Sequence, residues 1–260
     1  LGNMSPTGKL DITTTSGNVT LGASSIGGQL QILSGSGSLG QTGPLMVNGS
    51  TDIHVGGAIN LNAANNFWIG GVQIFGQSLD LSSAGNLSIT GLTLAANQAL
   101  SLQAVGNLDL GAAVNLDTGS ANLTLASGGS FNVLGTLSGK NVSLTADTGL
   151  SLGHDITASG WLKLTTNSGG IAQSGGRLSV AGTTTISAGS SPILLNQPGN
   201  HFGNAVSLMG ADSTLFGNSA LTLDTSSTGN LSITTQGAIT QIGALTVAGT
   251  TTLHAGSAVI

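Results

Sequence analysis

The chain has 260 residues, 43 of them glycine, with 5% charged and 3% aromatic residues and a mean hydropathy of +0.33. Four Lys and Arg against nine acidic side chains give a net charge of -5, too few cations to neutralise a run of phosphates, so nucleic-acid binding is excluded, while the hydropathy excludes a disordered chain. The absence of Cys removes disulfides and thiolate metal sites, no run approaches the roughly eighteen apolar residues of a membrane helix, and nine Asp with no Glu leave little to clothe an exposed helix.

Taken in order, the predicted elements are very short strands. Apolar pairs flank one polar or small residue at Leu79/Leu81, Leu87/Ile89, Leu92/Leu94, Leu100/Leu102, Leu108/Leu110, Leu123/Leu125, Val142/Leu144 and Leu150/Leu152. Each pair has the period of a strand with one face in and one face out. Gly, Asn, Ser or Asp fills nearly every gap and supplies tight corners. The Gly/Ser-rich stretch Ser34–Gly43 reads as a loop within this pattern.

Spacing adds the architecture. GNLSI at Gly85–Ile89 returns as GNLDL at Gly106–Leu110, and three apolar pairs fill the interval. AQSGGRLSVAGTTTISAG (Ala172–Gly189) returns as TQIGALTVAGTTTLHAG (Thr240–Gly256), with Val180 and Val247 aligned. GQTGPLMVNGSTDIHVGG (Gly40–Gly57) is a looser copy, its Val47 aligned with Val180. The three shifts stand as one, three and six coils, so the expected fold is all-β: a right-handed parallel β-helix (β-solenoid) with about 21–22 residues per three-stranded coil. It is expected to run through 1–260 as a single continuous segment of a longer exoprotein. A second GNLSIT, starting at Gly229, is out of step with that period. Asn86 and Asn107, at matching corners, suit a ladder of stacked side-chain amides. Uncapped coils would favour end-to-end self-association of the isolated segment.

The blocks GAITQIGALTVAGTTTLHAG (Gly237–Gly256), GGIAQSGGRLSVAGTTTISAG (Gly169–Gly189) and NQPGNHFGNAVSL (Asn196–Leu208) resemble the repeat regions of filamentous-haemagglutinin-like adhesins of two-partner secretion and related autotransporters. The resemblance implies a segment secreted through an outer-membrane transporter to the surface of a Gram-negative bacterium. There it would be the structural shaft holding adhesive regions, and their host receptor, matrix or glycan contacts, away from the cell. The chain carries none of the NPNL- or NPNG-type signatures of the family's secretion domain, which fits shaft.

Enzymes that act on polysaccharides share this architecture, so fold alone does not dispose of the chemistry-bearing residues. The nine Asp are scattered; Asp11, Asp80 and Asp109 lie between inward apolar residues and should face water, and Asp109 replaces Ser88 one coil earlier, so no acidic ladder forms. His54 and His254 fall at the same repeat position many coils apart, too far to share a metal ion. Runs such as Thr183–Thr185 and Thr250–Thr252 read as strand formers. No catalytic, cofactor-binding or metal-binding set is expected, and a polysaccharide-acting enzyme or glycan-binding module is the alternative reading. Two candidate glycan contacts remain. Alternation in NFWIG (Asn66–Gly70) places Phe67 and Ile69 inward and Trp68 outward, and Trp161 faces out beside Lys163.

Overall fold

The computed structural model describes residues 1–98 and 100–256. Among them every regular element is a β-strand, most of them three to five residues long. The chain forms two compact units, Leu1–Gly129 and Ser130–Ile260, and each is a parallel β-solenoid.

In the first unit, sheet I stacks Leu10–Thr14, Leu30–Ser34, Thr51–Val55, Val72–Gly76, Leu87–Leu94 and Leu108–Leu110. Sheet II stacks Val19–Leu21, Leu39–Gln41, Ile59–Leu61, Leu79–Ser83, Leu100–Ala104 and Leu123–Ser127. A short sheet III holds Ser24–Ile26, Leu45–Val47 and Phe67–Trp68. Every pairing is parallel and joins one coil to the next, so stability comes from neighbouring coils. The stretch Ser34–Gly43, expected as a loop, contains the strand Leu39–Gln41.

The second unit repeats the arrangement with Gly149–Leu152, Ile171–Gln173 and Ile193–Leu195 among its sheet I strands, and Leu162–Thr166, Thr184–Ser187 and Val206–Met209 in sheet II. Its third sheet, with Ile156–Ala158, Leu178–Val180 and His201–Phe202, lies between the two in chain order, whereas in the first unit it follows sheet II. At Val206–Met209 the path changes: that strand pairs with both Leu221–Leu223 and Ser226–Thr228, and the third strand again comes last.

Inward residues align into columns. Ile12, Ile32, Ile53, Ile74 and Leu92 are in register in the first unit, and Leu144, Leu164, Ile186 and Leu208 in the second. Stacking like on like leaves each methyl group with apolar neighbours above and below, at roughly 25 cal/mol per Å² of apolar surface removed from water. The expected inward pairs are buried throughout, apart from Leu94, which is half-buried. Coil length varies more than the sequence period implies. The coil that pairs Ser213 with Leu231 is short, and the one that pairs Leu100 with Leu123 is long. That variation accounts for the irregular spacing of the two GNLSIT segments, whose strands nonetheless both lie in sheet I.

The corners carry a side-chain-to-backbone device. Asn86 Oδ1 accepts the backbone N–H of Asn107 at 2.9 Å. Asn18 serves Ser38, Asn141 serves Trp161 and Asn230 serves Thr250 in the same way, and Asp155 serves Arg177. The reason is that a corner N–H has no strand partner, and a short side chain one coil below is the nearest acceptor. A Cβ on Gly106, Gly160 or Gly249 would run into the Oδ1 of Asn86, Asn141 or Asn230 respectively. At these three corners an oxygen from one coil thus sits where the next coil has no side chain.

A second device ties the bend into sheet III. Asn66, fully buried, accepts the Leu45 N–H at 2.8 Å and the Gln41 Nε2 at 2.9 Å through Oδ1, and donates Nδ2 to Gln41 Oε1 and to Leu61 O. Gln41 Nε2 also reaches Gly43 O. In the second unit Asn200 does the same with Leu178 N–H, Gln173 and Leu195 O, and Gln173 reaches Gly176 O. Each asparagine amide uses both protons and both lone pairs, so a fully polar group sits in the core without an orphan.

Candidate functional site

The expected orientation of Trp68 is reversed. Its side chain is 3% exposed and its indole Nε1 donates to Ser82 O at 3.0 Å, while Phe67 and Ile69 face outward at 39% and 67%. The phase of this strand is set by Asn66, which is locked inward, so alternation runs Asn66 in, Phe67 out, Trp68 in. The second unit repeats this as Asn200 in, His201 out, Phe202 in. A shared Asn-x-aromatic word, in NFW and NHF, is the signal that would have given the correct phase. Buried in the core, Trp68 presents no face to a sugar. Trp161 does lie outward, 39% exposed, with Lys163 on the same outer side of the adjoining strand.

The titratable residues pair locally. Lys9 contacts Asp11 at 2.9 Å and donates to Gln31 at 2.8 Å, and Arg177 approaches Asp155 at 3.5 Å. These pairs are exposed and contribute little to stability. His54 Nε2 lies 3.0 Å from Asp52 Oδ1. Asp11, Asp80 and Asp109 face away from the core, and Asp109 pairs in register with Ser88. Among the described residues no three His or Asp side chains come together in a way that could hold a metal ion.

Outward side chains form ladders, and those on sheet I of the first unit stand out. One row runs Asp11, Gln31, Asp52, Gln73; beside it runs Thr13, Leu33, His54, Phe75, Thr93. The imidazole of His54 stacks on the Phe75 ring, centroids 5.8 Å apart and planes 17° from parallel. Leu33 and Phe75 are half exposed. A shallow depression of about 320 Å³ opens beside them, edged by Gln73, Thr90 and Thr93. Asp52 Oδ1 thus lies beside the His54 Nε2 and the Phe75 ring beneath its imidazole.

On sheet II of the same unit a larger groove of about 570 Å³ follows the row Asn60, Asp80, Ser101, Thr124. Asp80 Oδ2 accepts Asn62 Nδ2 at 2.7 Å. None of the residues lining the groove is cationic.

The repeat family described as Repeats of unknown function (DUF5649) matches residues 7–75, 139–209 and 210–260. No curated protein and no solved structure matches the chain. The first two matched stretches each contain one complete Gln–Asn clasp, Gln41 with Asn66 and Gln173 with Asn200.

Proposed function

The chain belongs to the DUF5649 repeat family, and on that footing we propose that it is a structural spacer: a segment of a secreted or surface-anchored bacterial exoprotein whose stacked coils hold adhesive regions away from the cell. The observation that supports this reading is the uniformity of the inter-coil bonding. In both units each coil is joined to the next by in-register parallel pairing, reinforced by corner Asn or Asp side chains and by a buried Gln–Asn clasp. A scaffold of nearest-neighbour coils can be extended by repetition without redesign of its core. The resemblance of Gly169–Gly189 and Gly237–Gly256 to adhesin repeats supports export through an outer-membrane transporter to a Gram-negative cell surface.

The test is to place the chain between a bacterial surface anchor and a reporter domain that binds an immobilised ligand. The spacer reading predicts that cells displaying the reporter through the chain adhere strongly. Cells should lose that adhesion when the chain is removed or its core is broken by Leu108→Asp. Equal adhesion with and without the chain would refute it.

A further inference from the structure

We propose that the sheet II groove of the first unit is a binding site for a neutral, hydroxyl-rich glycan chain, a role that stands independently of the spacer reading. The floor presents one polar side chain per coil, Asn60, Asp80, Ser101 and Thr124, in strict register. Successive coils lie about 4.8 Å apart, close to the advance per sugar of an extended β-linked pyranose chain, so each sugar can meet a new rung. Ser78, Gln98 and Asn122, each close to the start of a strand, edge the groove. A pyranose needs this mixture: amides and hydroxyls that both donate and accept, and a carboxylate that accepts hydroxyl protons.

The wall is held by its own turn contacts. The coil from Leu100 to Leu123 is longer than the one before it, from Leu79 to Leu100. Asn97 holds φ at 61°, the only non-glycine residue with positive φ among the described residues. From that conformation its Oδ1 accepts both the N–H and the hydroxyl of Ser120, at 2.9 and 3.0 Å. Gly119, at φ 56°, sits against the same Oδ1, where a Cβ would collide. Asp117 Oδ1 accepts the Gly119 N–H at 2.9 Å. The turns bearing Gln98 and Asn122 are therefore fixed to one another. These walls lie between the matched stretches 7–75 and 139–209.

Charge selects the class of glycan. Asp80 is the one charged group in the lining, so uronic-acid polymers are repelled and neutral chains are not. The experiment is calorimetric titration of the full chain with cellohexaose, chitohexaose and polygalacturonate, with amide shifts mapped by NMR. Saturable binding of at least one neutral hexasaccharide is expected, with shifts centred on residues 80, 98, 101 and 124. Asp80→Ala and Gln98→Ala should each weaken it about fivefold, and Trp161→Ala should leave it unchanged. Thermal melts accompany each variant; if Asp80→Ala melts early, Gln98→Ala with Ser101→Ala carries the test. The proposal is overturned by no saturation with either neutral chain up to about 10 mM, by binding of polygalacturonate alone, or by binding that survives the groove variants or disappears with Trp161→Ala.

Discussion

Gln41 and Gln173 lie in different units and on different sheets, yet each closes the same ring of hydrogen bonds with an asparagine one coil further on. The outward rows of the two units are less alike. On the equivalent row of sheet I the first unit displays Leu33, His54 and Phe75, and the second displays Phe216, Thr234 and His254. At the clasp the inner surface is constrained by the need to satisfy a buried asparagine amide, so the two units arrive at the same residues. The outer surface carries no such constraint, and it is there that one unit differs from the other.

The broadest way to break this contrast is to exchange inside for outside on one strand. Leu108→Asp buries an unpaired charge in an apolar column and should cost about 3–5 kcal/mol, while its neighbour Asp109→Leu should cost about 1 kcal/mol or less. Similar melting temperatures for the two variants would show that the faces are wrongly assigned.

The equivalence of the clasps comes next. Asn66→Leu and Asn200→Leu each leave a backbone N–H and a glutamine Oε1 without their partner, at about 3 kcal/mol apiece. Gln241 supplies a control, since its Nε2 reaches Gly243 O as Gln41 reaches Gly43 O, but its side chain is exposed. Gln241→Ala should change stability by no more than about 0.5 kcal/mol. Denaturant unfolding of the three variants sharpens the comparison; strongly unequal losses for the two asparagines would end it.

Smaller effects test the corners and the column. Asn230→Ala and Gly249→Ala should each cost about 1–2 kcal/mol, and a double-mutant cycle should show that the pair costs less than their sum, because removing Asn230 Oδ1 frees the space for a Cβ at residue 249. Additive losses would mean that the oxygen does not dictate the glycine. Thr184 faces inward between Leu162 and Val206 in register, with no hydrogen bond to its hydroxyl. Thr184→Val keeps its shape and should raise stability by about 0.5–1 kcal/mol, read as a higher Tm.

How far these features could be read from sequence follows the same division. The apolar pairs were legible because strand alternation leaves a direct trace, as in Leu108, Asp109 and Leu110. Trp68 was not, because its strand takes its phase from a buried asparagine, and a polar residue in the core defeats a rule based on hydropathy. The clasps were hidden for a related reason: their partners are polar and are separated in sequence by a whole coil. The groove on sheet II left no motif, since its rungs are single residues brought into line only by coils of unequal length. The Gly-Asn words were visible as repeats, but the oxygens that fill the space of a missing Cβ at Gly106, Gly160 and Gly249 appear only in three dimensions.

Hydrogen exchange at the Leu45 and Leu178 amides tests the central claim most directly, because both lie beside bends yet donate to fully buried asparagine oxygens. The account predicts protection comparable to that of strand amides in the sheet cores, such as Leu102 and Leu164. Exchange at Leu45 and Leu178 as fast as at the exposed Ser36 would contradict it, for then no clasp joins one coil to the next.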